Sequence, residues 1–366
     1  MVAPTTLSAL AAGGFDDVID VRSPAEFAED HIPGAINLPV LDNEERARIG
    51  TIYKQQSPFL ARKIGAAIVF RNAANHIETT LADREGGWRP LINCWRGGQR
   101  SGAFSWMLQQ IGWRAETLAG GYKSFRKLVT DVLYDAPLPH RLIQLGGYTG
   151  TAKTELLTRL RTRGLQVIDL EAMARHRGSL LGGLGVAQPS QKAFETSLAF
   201  AFDALDPAHP VLVEAESSTI GAINLPPALW SAMKDAPSLR VEAPLEARAH
   251  YLARAYESVL SDHDELSLKL APLRQHRGHA IVDHWLKLSA AGDRVGLCQA
   301  LAEQHYDPSY DKAMRVKVPK LLATVHAPDL TENALEKVAD DLAARLQRIE
   351  SDPGTSSVTR PISAAS

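Results

Sequence analysis

The chain has 366 residues, 45% of them hydrophobic, enough to fill two domains of ordinary size, each with its own core. Its 40 Lys and Arg against 42 Asp and Glu give a formal charge of −2, so any RNA partner must meet a local basic surface, not a globally basic protein. No apolar run approaches the ~20 residues of a bilayer span, no signal-peptide pattern opens the chain, and the two cysteines, Cys94 and Cys298, suit neither a disulfide framework nor structural zinc. The expectation is a cytoplasmic protein with no membrane partner.

In chain order, Leu7 to Leu10 reads as a short helix and Val18 to Val21 as a strand. Ser23 is placed to cap a helix whose first turn holds Pro24 and Glu26. Asp30 to Pro39 is a turn into a second strand, with Asp20, Arg22 and His31 read as holding loops. Between residues 42 and 85, Leu60, Ile64, Ala67, Ile68, Ala74, Ile77 and Leu81 recur at helical spacing. The polar approach, Tyr53 to Pro58 with Lys54, Arg62 and Lys63, lies off that face and is either solvated surface or a wall of the active site that meets RNA.

Pro90 to Asn93 is a short apolar strand, Ser101 begins a helix, and between them stands Cys94-Trp95-Arg96-Gly97-Gly98-Gln99-Arg100. Backbone N–H groups at a helix N-terminus, with Arg96 and Arg100 beside them, favour a thiolate and cradle a tetrahedral anion. The Cys-x5-Arg spacing is shared by rhodanese-like transferases and some phosphatases and does not choose between them. After a strand near residues 112–118, Gly120 opens a basic helix. Its Tyr122, Lys123 and Arg126 suit an RNA loop, where aromatics stack bases and cations hold phosphates. A first domain of residues 1–135 ends at the linker Ala136-Pro137-Leu138-Pro139.

The second domain, 136–350, opens with the strand Arg141 to Leu145, the turn Gly146 to Thr154 and a helix from Glu155. This is a P-loop pattern: Gly147 and Gly150 let N–H groups wrap a diphosphate, Lys153 adds a charge, and Thr154 offers its hydroxyl to Mg²⁺. Ala152 departs from the glycine usual before the lysine. Two further strands end in acids, Asp169 with Glu171 and Glu214 with Glu216, and the latter two are the candidates for handling the metal. Gln188 to Lys192 is a polar loop suited to covering the site. From Ala243 onward the pattern is helical, His276, His279 and His284 read as solvated helix-face residues, and residues 351–366 read as a disordered tail.

Cys94 to Ser101, joined to a P-loop domain holding Leu170 to Ser179 and Val213 to Ser217, resembles the bacterial tRNA 2-selenouridine synthase family. Gly50 to Gln55, Gln188 to Lys192 and His305 to Tyr310 carry the same resemblance. It implies an α/β fold: an N-terminal rhodanese-like domain, then a P-loop NTPase-like α/β domain with a helical C-terminal part. It also implies a tRNA with wobble 2-thiouridine as partner, S-geranylated with geranyl diphosphate and then converted to 2-selenouridine with selenophosphate. Cys94 would handle selenium and Arg96 and Arg100 its phosphate. Mg²⁺ is the one cofactor expected, with no tightly bound organic group. The rival is a rhodanese-type sulfurtransferase coupled to an NTPase. Oligomeric state is left open.

Overall fold

The computed structural model describes residues 1–179, 181–183, 185–316 and 320–351, so the expected tail lies outside them past Ser351. The chain divides into two compact units, one of residues 1–137 with 189–204, the other of residues 138–188 with 205 onward.

The first unit is built on four short parallel strands: β1 (Asp17–Asp20), β2 (Ile36–Asn37), β3 (Pro90–Asn93) and β4 (Glu116–Thr117), in the order β2-β1-β3-β4. β1 and β3 run in register from Asp17 opposite Pro90 to Asp20 opposite Asn93, which brings the loops after both strands to one sheet end. Ile19, Val21, Ile92, Phe104 and Leu108 are buried in the core beside Cys94. Ser23 and Glu26 form the capping box the sequence suggests, starting the helix Pro24–Glu29.

The stretch before β3 holds two helices where the periodicity suggests one. Asp42 and Glu45 form a second capping box that starts Asn43–Gln55, and Ser57 caps a new helix, Pro58–Glu78. Tyr53 and Lys54 thus close the first helix and do not merely lead into the second.

A second difference concerns the domain boundary. Residues 189–204, which fall in the 136–350 domain by sequence, pack in the first unit as the helix Gln191–Asp203, capped by Ser190. Its buried Phe194, Leu198, Ala199 and Phe202 supply the apolar reason. Arg126 pairs with Glu195, which also accepts from the Tyr134 hydroxyl, and Thr196 donates to Asp30 at 3.0 Å. Gln191 and Lys192 therefore open this helix.

The second unit holds a parallel sheet of β5 (Leu142–Gly146), β6 (Gln166–Ile168), β7 (Val211–Glu214), β10 (Ser238–Glu242) and β11 (Leu321–His326), with a small antiparallel ribbon, β8 (Thr219–Ile220) and β9 (Ile223–Asn224). The order β11-β10-β5-β7-β6 makes β5 central, with successive crossovers leaving to opposite sides. Its C-terminal end is the switch point where open α/β sheets bind ligands. β10 ends just before Ala243, and β11 interrupts the helical pattern expected from there onward. Leu239, Val241 and Val325 join the core, so residues 321–326 complete the sheet from far along the chain. The helix Glu332–Ser351 then packs on Lys153–Thr162, with Arg159 and Arg163 set among Glu332, Glu336 and Asp340.

Candidate functional site

In the first unit, β3 delivers Cys94 to the end of the sheet and the helix Gln99–Ile111 starts just beyond it. Gly97, at φ +61°, and Gly121, also at +61°, let two loops pass backbone against backbone. A Cβ on Gly121 would sit 2.2 Å from the Cys94 carbonyl oxygen, and one on Gly97 2.5 Å from that of Leu118. The N–H of Tyr122 donates to Cys94 O at 2.8 Å and that of Lys123 to Trp95 O at 3.0 Å, fastening the cysteine loop to the following helix. Only glycine fits such crossings.

The sulfur is buried, and burial alone would raise its pKa. Hydrogen bonds from the Ser101 hydroxyl and N–H, the charge of Arg100 and the N–H of Arg96 outweigh that and hold Cys94 below the ordinary thiol range. The Ser101 Oγ–Sγ distance is 3.2 Å. Arg100 is held by Glu26 at 3.0 Å, which fixes its direction, whereas the Arg96 side chain is exposed.

Cys94 opens into a cleft of about 870 Å³, whose lining includes Arg46, Lys54, Arg62, Arg96 and Arg100. Ile49, Tyr53, Val69, Phe70 and Trp95 make it apolar between those cations. Of the residues suggested for RNA, Lys54 and Arg62 line this cleft, while Lys63 and Lys123 are exposed elsewhere.

Tyr122 and Arg126 are structural, correcting their reading as RNA contacts. Tyr122 is 2% exposed, stacks on Trp95, carries Arg22 over its ring and donates to Asp30 at 2.7 Å. Arg126 is used by Glu195 and by the Lys192 carbonyl. Asp20 and Arg22 form a buried ion pair at 2.7 Å, and His31 stacks on Phe27, as suits residues that hold loops.

In the second unit, the turn after β5 wraps the N-terminus of the helix Lys153–Thr162. Gly147 and Gly150 both have positive φ, and Cβ atoms there would meet Val241 O at 2.6 Å and Leu252 at 2.8 Å. Ala152 is left-handed at φ +58°, the backbone setting that explains why glycine is usual at this place. The Lys153 ammonium donates to Gly147 O at 3.0 Å.

The loop is clamped from the helical part. Gly147 N–H donates to the Tyr310 hydroxyl at 3.2 Å, and Arg248 joins Thr149 O to both carboxylate oxygens of Asp307. Tyr310 and Asp307 lie within the His305 to Tyr310 stretch noted in the sequence, but their work on the P-loop had no local signal.

The carboxylates are arranged differently from the expectation. Glu214 is fully buried, accepts from Leu170 N–H at 2.9 Å and does not line the cleft at the P-loop. Its place beside the loop is taken by Glu171, which accepts from Thr154 Oγ1 at 2.9 Å and hydrogen-bonds Glu216. Glu171 was passed over because it reads as the end of a strand, whereas the chain turns at Asp169 into the helix Leu170–Ala174.

Burial and the Glu171 charge push Glu216 up to about 7, and burial raises Glu171 despite Lys153 and Thr154. Gly178, at φ +59°, packs on both carboxylates. The surrounding cleft, about 640 Å³, is lined by the P-loop, Arg177, Trp230, Tyr251 and Tyr256.

Among the described residues no three His, Cys, Asp or Glu side chains converge as a metal site. The Thr154 hydroxyl with the Glu171 and Glu216 carboxylates is nevertheless an oxygen donor set that suits Mg²⁺, which takes its remaining ligands from phosphate and water. No helix among those residues is long and apolar enough to cross a membrane. His276, His279 and His284 are all exposed.

A family model described as the tRNA 2-selenouridine synthase AAA domain matches residues 140–277, and a rhodanese-like domain model matches residues 3–128. A Nitrosomonas europaea protein called tRNA 2-selenouridine synthase is 36% identical over 243 residues, 65% of this chain and 63% of its own length. The protein of that name from Bdellovibrio bacteriovorus is 35% identical, covering 70% of this chain and 68% of its own. That from Chromohalobacter salexigens is 34% identical over 319 residues, covering 80% of this chain and 86% of its own. The chain belongs to the tRNA 2-selenouridine synthase family.

Proposed function

With that membership as premise, we propose that the protein converts wobble 2-thiouridine in tRNA to 2-selenouridine in two steps, using geranyl diphosphate and then selenophosphate. The observation that carries this reading is the pair of anion cradles of different chemistry, one around a low-pKa thiol and one around a P-loop.

In the first step the thiocarbonyl sulfur attacks C1 of geranyl diphosphate, the allylic C–O bond breaks, pyrophosphate leaves and the base loses its N3 proton. The loop from Gly147 to Thr154 would hold the diphosphate through its N–H groups and Lys153. Mg²⁺, held by Thr154, Glu171 and Glu216, would supply charge neutralisation there when bound.

In the second step selenium adds at C2, the carbon–sulfur bond breaks, and geranylthiolate leaves and takes up a proton. Water then removes the phosphoryl group from selenium as phosphate. Cys94 would handle the selenium, and Arg96 and Arg100 would hold its phosphate in the same turn. Alkylation comes first because a bare thiocarbonyl is a poor electrophile with a poor leaving group. The wobble base lies in a single-stranded loop, so no duplex need be opened.

The test is mass spectrometry of nucleosides from 2-thiouridine tRNA incubated with the protein and geranyl diphosphate, with and without selenophosphate. Geranylated and then selenated uridine is the expected result. Cys94→Ala should stop at the geranylated base, and Lys153→Ala should lose binding of geranyl diphosphate. An unchanged base in both conditions would overturn the reading and leave the sulfurtransferase.

A further inference from the structure

We infer that the cleft beside Cys94 is the seat of the S-geranylated wobble nucleotide, with its apolar wall taking the prenyl chain and its cationic rim the neighbouring RNA phosphates. The inference rests on the two-step reading above and adds a place for the chain.

The chemistry requires such a place. Whatever holds geranyl diphosphate in the first step, the group leaving in the second is a ten-carbon thiolate, and it leaves where selenium is delivered. The geranyl chain must therefore lie within reach of the Cys94 turn.

The cleft has the matching composition. It is about 870 Å³, it reaches Cys94, and its lining includes five cations and no Asp or Glu. A prenylated nucleotide in RNA is both greasy and polyanionic, and few other ligands ask for both. The apolar side is already paid for in exposure: Phe70 is 41% and Tyr53 55% exposed on the pair of helices Asn43–Gln55 and Pro58–Glu78. Exposed apolar surface rimmed by charge marks ligand grooves. Lys54 and Arg62 stand on that rim with no ion pair among the described residues, whereas Arg100 and Arg46 are held by Glu26.

The test uses synthetic anticodon stem–loop RNA whose wobble 2-thiouridine carries S-methyl or S-geranyl, with the full chain and two variants. Ala66→Trp fills the cleft from an exposed position of its wall, and Phe70→Ala removes an apolar contact there without adding bulk. The primary readout is equilibrium binding by fluorescence anisotropy. Burial of only two methylenes is worth about tenfold, so the full chain should bind S-geranyl RNA at least about tenfold tighter than S-methyl RNA. Both variants should shrink that ratio, weakening S-geranyl RNA binding more than S-methyl RNA binding, since the charges are untouched.

A ratio near one in the full chain, or a ratio unmoved in both variants, overturns the inference. So does a fall in affinity for free geranyl diphosphate with the RNA ratio unchanged, which would assign the cleft to the donor. Turnover of S-geranyl RNA with selenophosphate is measured separately. Its absence in a chain that still shows the geranyl preference would overturn the two-step reading and leave the binding site standing.

Discussion

Replacing Ser101 with alanine tests whether the thiolate is made by the local hydrogen bonds. The hydroxyl lies 3.2 Å from a buried sulfur and is the largest of the groups that lower its pKa against burial. A hydrogen bond to a charged partner is worth about 1.5–3 kcal/mol, which corresponds to an about 12- to 160-fold smaller thiolate fraction below the midpoint. A more basic thiolate is also a better nucleophile, with a Brønsted coefficient of about 0.4–0.5, so the alkylation rate should fall only about 4- to 15-fold. The assay is the second-order rate of iodoacetamide alkylation against pH, read by mass spectrometry at each cysteine. Cys298, buried in the helical part and pushed up to about 12, is the internal control and should stay unmodified. The Cys94 midpoint should move to higher pH. Because the folded thiol titrates below the unfolded one, its stabilisation grows as pH rises from the folded midpoint to about 8.5, and Ser101→Ala should flatten that rise. An unchanged or lower midpoint would refute the reasoning and assign the thiolate to Arg100 and the helix N-terminus alone.

Arg126→Ala leaves Glu195, 3% exposed, without its cation and should destabilise the first unit by about 3–5 kcal/mol in urea unfolding, while tRNA affinity of the folded protein stays unchanged. Selective loss of tRNA binding at full stability would return Arg126 to the RNA surface. Ala152→Gly relieves about 1–2 kcal/mol of left-handed strain but loses about 0.8 for a buried methyl and about 0.4–1 to a freer unfolded chain, so stability should hold within about 1 kcal/mol. A thermal melt showing loss of more than about 2 kcal/mol would contradict that balance. Glu216 binds its proton more tightly folded, up to about 7, than an unfolded carboxyl near 4.3, so stability should fall as pH rises between those values and level off above them. Glu216→Gln should flatten part of that slope, since Glu214 and Glu171 are raised as well, and a slope that persists unchanged would mean that Glu216 is not among the groups that carry it.

The parts legible in the sequence are those whose cause is local. The cysteine turn, the P-loop and the Ser23 cap each depend on residues within one turn of chain, and each stands where expected. The parts missed depend on distant partners. Tyr122 reads as an RNA aromatic until Asp30 and Arg22, about a hundred residues earlier, are seen to occupy its hydroxyl and face. Residues 189–204 fall in the second domain by sequence, with 188–192 read as a polar loop, because nothing near them reveals that Phe194 and Phe202 bury in the first unit. Strand β11 lacks a clear local signature because much of it is only partly buried, and its pairing with β10 is what defines it. Glu171 reads as a strand end, whereas the strand stops three residues earlier at Ile168 and Glu171 stands in the helix that follows.

The two cradles use one device for opposite electrostatic ends. In each, glycines at positive φ let backbone crowd against backbone, and a helix begins at once so that its unpaired N–H groups face the ligand. Around Cys94 those groups meet Ser101 and Arg100, and the result is a buried thiol held below the ordinary thiol range. Around Lys153 they meet Glu171 and Glu216, two buried acids both raised above the ordinary carboxyl range, at a site that would gain from a cation. A single anion-binding turn would serve one phosphate donor. Two turns tuned in opposite directions fit the two-step reaction proposed above, in which one step would release pyrophosphate and the next would deliver a soft nucleophile.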